Sequence, residues 1–472
     1  MESWAISSAG RFFVMQKKIN IAIALVTIFF SSPLNAEQAP NISSFTLDNG
    51  LEVIVIPNHR VPAVNHTLWF KIGAADDPSG KSGLAHFHEH VMFLGTAKYK
   101  SGEYSSIVSR NGGEQNAFTG YDATAYFINI SKENLPLAME MEADRMNDLS
   151  ASDSDIEKEK QVIIEERRMR IDNNPDALLS EQVNAALFRN HPYHWPSIGW
   201  QHEMNGLTRQ DVIDFHKKWY HPNNAILIIG GDVTAEEVRP LAEKYYGKIP
   251  RAEVPQRIWN DEPPQRGERR ITMHHPQVTQ PEISRTYATV SLGYGKKDEA
   301  LPLFILAQVL GGGKTSRLYH SLVTEQKLAS AVSVDYNGFS RGPGEFSIDL
   351  VPEQGIDPAK LEAAADMQIA DFFKNGLTAE ELERAKTLLK AETIYARDGL
   401  SGIANIMGWI RMIGLDTDYF SNWPKLIDKI TAQQVMDAAK DTLKREQCVT
   451  ALLLPPNETP KPVEPAKKGK GK

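Results

Sequence analysis

A single cysteine, Cys448, stands in 472 residues. No disulfide can form within the chain, and an oxidising compartment is tolerated rather than exploited. Basic residues are outnumbered, 52 Lys and Arg against 60 Asp and Glu, for a net charge of −8. With no basic stretch interleaved with aromatics, no nucleic acid partner is expected. After the N-terminal segment, no apolar run approaches the roughly 20 residues that a spanning helix needs, so no stable membrane insertion is expected. Histidine is scarce late in the chain: none follows His320, and none lies between His275 and His320. Imidazole chemistry therefore belongs to the first half.

What is present begins with an address. Met15-Gln16-Lys17-Lys18 is a basic opening, Ile19 to Phe30 is uncharged and mostly apolar, and Ala36 closes a small-residue segment. This predicts a signal peptide over residues 1–36, with Met15 as the better start, and a periplasmic mature protein. No cysteine lies near the cleavage point, so no lipid anchor is expected. The rest is long enough for two cores.

The pattern predicts an α+β fold built from two homologous α/β-sandwich domains. Helical periodicity covers Leu84–Phe93, Ser101–Asn111, Leu135–Leu149 and Asp153–Ile171, while His66–Ile72, Thr124–Ile130 and Ala225–Gly230 read as strands. Residues 253–270, rich in proline and charge, read as a linker between a domain over 37–252 and another over 271–454. In the second block Tyr287–Leu292 and Ser347–Val351 read as strands. Leu301–Leu310, Pro358–Phe373 and Thr378–Ala396 read as helices. Ile156 to Glu166 and Leu382 to Glu392 have the same spacing, which implies an internal duplication with one active and one degenerate copy. Residues 455–472, lysine- and proline-rich, read as a disordered tail.

Chemistry concentrates at His86-Phe87-His88-Glu89-His90. Helical positions four apart share a face, so His86 and His90 can offer two imidazole nitrogens to one metal ion. Glu89 lies beside that face, within reach of an activated water, and His88 falls on the opposite side. Two histidines with a carboxylate suit zinc better than calcium or magnesium. A catalytic zinc needs a third protein ligand and an open position. Glu159 and Glu166, seven apart on the next long helix, share a face; either can bind metal while the other orients a histidine. Glu157 and Glu165 read as solvated.

His86 to His90 matches the H-x-x-E-H signature, and the chain from Phe45 to about Leu454 resembles the pitrilysin/insulinase family. The run Glu159-Lys160-Gln161-Val162-Ile163-Ile164-Glu165-Glu166 resembles the family's second metal segment. The resemblance implies one Zn2+ per chain held by His86, His90 and Glu166, with Glu89 as general base and Glu159 as a further glutamate close to the metal. Gly112 to Thr119 resembles the segment leading into the edge strand that pairs with bound peptide. Asn116, Ala117 and Phe118 are thereby implied in peptide binding. Gly311 to Tyr319 resembles the glycine-rich opening of the family's second half, and it lacks the spacing of a phosphate-binding loop.

One departure bears on partners. Active single-chain members carry an arginine and a tyrosine, seven apart, in the C-terminal half; this sequence has Val323 and Ser330 there. Processing peptidases of the family divide such groups between two homologous chains. The expectation is a zinc-bearing subunit whose partner, a paralogue with a broken metal motif, supplies the arginine–tyrosine pair. A homodimer, or a monomer of weak activity, is the alternative. A non-catalytic structural or peptide-binding member of the same fold is the competing functional reading.

Overall fold

The computed structural model describes residues 42–395 and 399–456. The expected signal peptide and all but the first two residues of the expected tail lie outside the described residues.

Two sheets organise the chain. The first contains β1 (Ser43–Thr46), β2 (Glu52–Pro57), β3 (Ala63–Phe70), β4 (Glu114–Thr119), β5 (Thr124–Ser131) and β6 (Ala225–Gly231), in the order β1-β2-β6-β3-β5-β4. Its helices are α1 (Leu84–Val91), α2 (Glu103–Arg110), α3 (Leu135–Asn147), α4 (Asp153–Arg167), α5 (Pro175–Leu187), α6 (Gln201–Met204), α7 (Arg209–Trp219) and α8 (Ala235–Tyr245). The second contains β7 (Arg269–His274), β8 (Glu282–Thr289), β9 (Ala329–Asn337), β10 (Gly344–Pro352) and β11 (Cys448–Leu454), in the order β7-β11-β8-β10-β9. With it go α9 (Lys297–Gly311), α10 (Arg317–Tyr319), α11 (Pro358–Asn375), α12 (Ala379–Tyr395), α13 (Leu400–Met412), α14 (Tyr419–Asp428) and α15 (Ala432–Thr442).

Apart from β1, the two strand orders superimpose. β2 and β6 run parallel, as do β7 and β11, and every later neighbour in both sheets is antiparallel. The α+β class and the duplication are both present. They hold each other together by exchange. Leu227 and Ile229 of β6 face the first half's own helices, whereas Ile226 and Ile228 on the other face join the second half's core. Helix α13 covers that face: Trp409 meets Trp69 edge-on with ring centroids 5.3 Å apart. In return, Leu179, Val183 and Leu187 of α5 cover Val449, Ala451 and Leu453 of β11. Burial on both faces explains why β6 reads as a continuous apolar run.

Several boundaries differ from the sequence pattern. β3 begins at Ala63 rather than His66 and ends at Phe70 rather than Ile72. Its polar residues are buried because they are paired: Asn65 Nδ2 donates to Asn129 Oδ1 at 2.8 Å, and His66 Nε2 lies 2.8 Å from the Tyr246 hydroxyl. β8 spans Glu282–Thr289 rather than Tyr287–Leu292; Arg285 is buried in it against Asp366 and Glu362. β7 begins at Arg269, within the stretch read as linker, with Arg270 forked onto Glu362 at 2.8 and 2.9 Å. In each case an ion pair or amide pair satisfies a polar residue that hydropathy assigns to solvent.

Candidate metal centre

Helix α1 is short and held at both ends of its burial. Gly83 opens it at φ 86°, where a Cβ would lie 2.5 Å from the Ile198 carbonyl oxygen. The Asp77 carboxylate accepts from the backbone N–H of Gly83 and Ala85, both at 2.8 Å, satisfying donors that a helix start leaves orphaned. Leu84, Ala85, Phe87 and Val91 anchor the helix in the first core. His88 is fully buried behind it, 3.1 Å from His216 Nδ1 and with its ring 4.1 Å from that of Tyr220. It is turned away from the cluster and braces α1 from the rear.

The opposite side carries His86, Glu89 and His90. Helix α4, capped by Ser152 and anchored by Ile156, Ile163 and Ile164, brings Glu159 and Glu166 against it. Glu166 Oε2 lies 3.2 Å from His90 Nε2 and 3.7 Å from His86 Nε2. One ligand atom from each of His86, His90 and Glu166 falls within 4.8 Å of the others. Glu159 accepts from His90 Nδ1 at 2.8 Å, which leaves Nε2 of that ring to face the cluster. Among the described residues, none makes a hydrogen bond to buried Glu166 Oε2. Three donors converging on one point, with a lone pair left over, fit a metal ion held by two nitrogens and one carboxylate.

Electrostatics follows from burial and proximity. Burial, together with the neighbouring His90, holds His86 down at about 3. His90 is pushed down by burial, but the carboxylates of Glu159 and Glu166 outweigh this and hold it well above the usual imidazole range. Burial raises Glu89, opposed by His90 and by a hydrogen bond from Thr119. That bond, Thr119 Oγ1 to Glu89 Oε2 at 2.5 Å, ties Glu89 to the last residue of β4.

Asn116, Ala117 and Phe118 lie in β4, which is the edge of its sheet. Among the described residues β4 is paired to β5 alone, so one side of its backbone is open to an added strand. The Phe118 side chain is spent internally, stacked with Trp409 at 6.1 Å and against Trp69 at 5.2 Å. Val323 packs against the second core, and Ser330 Oγ accepts from Gln280 Nε2 at 3.0 Å. Arg317 is forked onto Glu381. In the second half, α9 presents Ile305, Leu306, Val309 and Leu310, all buried. Its Gln308 donates to Glu392 of α12 at 3.0 Å.

Three partners escaped the sequence reading. His216 and Thr119 belong to elements whose meeting with α1 only the fold decides. Arg170, whose Nη1 lies 2.8 Å from Glu166 Oε1, stood four residues after Glu166, a spacing that could have flagged it.

Comparison with known proteins adds an independent line. Residues 52–199 match the family described as Insulinase (Peptidase family M16), and residues 206–389 the one described as Peptidase M16 inactive domain. The zinc protease PqqE of Helicobacter pylori is 28% identical over 447 residues, covering 94% of this chain and 99% of that protein. The crystal structure of a protease from Helicobacter pylori superimposes with a TM-score of 0.81 at 29% identity, over 88% of this chain and all of that one. Pitrilysin, at 17% identity and a TM-score of 0.74, shares the fold; 89% of this chain covers 45% of it.

Proposed function

Because the chain belongs to the pitrilysin/insulinase family of peptidases, we propose that it is a zinc-dependent endopeptidase acting on peptides or unfolded polypeptides. The observation that carries this reading is the convergence of His86, His90 and Glu166 with Glu89 on the same helix, beside an open sheet edge. Zinc bound there supplies a Lewis acid to water and to the scissile carbonyl. Glu89, held by Thr119, takes the proton from water as the new C–O bond forms and delivers it to the leaving amine as the C–N bond breaks. Glu159 keeps His90 in the tautomer that turns Nε2 inward. The substrate lies along β4 as an added strand, so its backbone is read at Asn116, Ala117 and Phe118 before its side chains are.

Export is supported by the basic and apolar run from Met15 to Phe30, which makes the mature chain periplasmic. A divided active site is supported by Val323 and Ser330, neither of which can donate as an arginine–tyrosine pair does. The partner is then a homologous chain that supplies the pair, with a second copy of this chain as the alternative. Cleavage of an unstructured-peptide library, by the purified chain alone and with its nearest paralogue, tests both levels. Chelator-sensitive cleavage only in the mixture is the expected result. Full cleavage by the chain alone removes the divided site and keeps the peptidase. Silence in both, with zinc bound, favours a non-catalytic peptide-binding or structural role.

A further inference from the structure

Glu166 has two carboxylate oxygens with different surroundings. Oε2 faces His86 and His90, at 3.7 and 3.2 Å. Oε1 is engaged by Arg170 Nη1 at 2.8 Å. The arginine side chain is 29% exposed and the carboxylate 12%, so the pair lies at the wall of the site and is partly screened from water. Arg170 sits just past the end of α4, where the helix widens into π turns over Arg168–Asp172 and Asn173 N–H donates to the Arg168 carbonyl five residues back. Such widened turns are frequent at functional sites.

The chemistry of the metal makes this bond matter. A catalytic zinc keeps three protein ligands and one open position. A carboxylate free to swing can close on the metal through both oxygens and fill that position. A guanidinium on the outer oxygen opposes this and offsets part of the negative charge gathered by Glu89, Glu159 and Glu166. The second half serves as an internal control. Glu392 occupies the place of Glu166 in the matched helix, but its partner is the neutral amide of Gln308, and the residue four further on is Ala396. The arginine accompanies the histidines and is missing where they are missing.

We propose that Arg170 is a positioning residue that holds Glu166 as a one-oxygen ligand and thereby sets zinc affinity and turnover. This rests on the peptidase reading, and the test separates the two. Zinc affinity of the purified chain is measured by competition with a chromophoric chelator for the unaltered protein and for Arg170→Met, Arg170→Lys and Arg168→Met. Residues that orient a metal ligand typically change affinity by about 10- to 100-fold, and that loss is expected for Arg170→Met. Arg170→Lys, a point charge without the planar fork, should recover part of it. Arg168, paired with exposed Glu165 at 2.9 Å, should change affinity less than about twofold. With peptide substrate at saturating zinc, Arg170→Met should lower kcat while KM stays. Melting of the metal-free protein should change little, because the ion pair that is lost is partly open to solvent. Unchanged affinity in Arg170→Met, or an equal loss in Arg168→Met, overturns the assignment. An unaltered chain that binds no zinc overturns the peptidase reading itself, and the assignment with it.

Discussion

Helices α4 and α12 are the same helix used for two purposes. Shifted by 226 residues, Glu157 and Lys160 become Glu383 and Lys386, and each lysine is buried and bonded to its glutamate, at 2.9 and 3.0 Å. Val162 and Leu388 match as well, both exposed, as do Glu166 and Glu392. What differs is the opposing helix. Against α4 stand His86, Glu89 and His90; against α12 stand Gln308 and buried aliphatics. The scaffold that presents a carboxylate at this place is therefore independent of the chemistry done with it. A metal site needs the facing imidazoles, and in the second copy the amide of Gln308 faces the carboxylate instead.

The largest expected effect breaks this symmetry directly. Glu89→Gln should lower turnover by about 10²–10⁴-fold, the usual contribution of a general base, while zinc remains bound. Glu392→Gln, an equally small change at the place that matches Glu166, should leave kcat within about twofold and alter only stability. Steady-state peptide cleavage with zinc content measured in the same samples decides it. Loss of turnover in both variants would mean that the second half takes part in the chemistry.

That contrast also explains how much was legible in the sequence. His86 and His90 declare a shared face by their spacing alone, and Glu159 and Glu166 do the same two turns apart. Local periodicity is enough wherever the partners lie on regular helices. It fails for Thr119, since the hydrogen bond to Glu89 joins a strand end to a helix. It also fails for β7 and the polar centre of β3, whose Arg270, Asn65 and His66 are satisfied only by distant residues. The exchange of α5 and α13 between the halves was not legible at all. Periodicity says that a helix has an apolar face but not which sheet will cover it.

The exchange itself can be broken on one side. α5 docks through ordinary side chains, Leu179, Val183 and Leu187, whereas α13 approaches so closely that Gly408 faces the Trp69 ring, where a Cβ would lie 2.0 Å from the nearest ring atom. Gly408→Ala should destabilise the fold by about 3 kcal/mol through overpacking. At Gly120, a Cβ would sit 3.1 Å from Trp409, and Gly120→Ala should cost under about 1 kcal/mol by the same reasoning. Denaturant melts of both variants give the comparison. Equal costs would mean that α13 can shift away and that the close fit at Trp69 is not required.

A smaller effect is expected where the first half ties catalysis to its open strand. Thr119→Val removes the donor to Glu89 while keeping shape, and kcat should fall about tenfold, equivalent to one charged hydrogen bond, with KM unchanged. Thr119→Ser should restore the rate. A fall in KM-linked binding with kcat intact would place Thr119 in strand recognition instead.

The smallest effect separates the halves by pH. Glu142 of α3 and Glu362 of α11 are matched buried carboxylates beneath their sheets. Glu142 takes Arg145 of its own helix at 2.6 Å and the Tyr104 hydroxyl of α2 at 2.5 Å, while Glu362 gathers three arginines, Arg270, Arg285 and Arg445, from distant parts of the second half. The hydrogen bond from Arg270, with the charges of Arg285 and Arg445, outweighs burial and holds Glu362 down from 4.5 to about 2. A carboxyl lowered in the folded state adds stability that is complete above its unfolded value, near 4.5, and is lost as pH falls toward 2. Two of the three arginines are 42% exposed, so screening reduces the effect to on the order of 1–2 kcal/mol. Glu362→Gln should therefore flatten the acid side of the stability curve by that amount, read by denaturant melts between pH 5 and pH 2.5 on the order of one-half unit apart. An unaltered acid slope would mean that the three arginines hold the second half together without depending on the charge they surround.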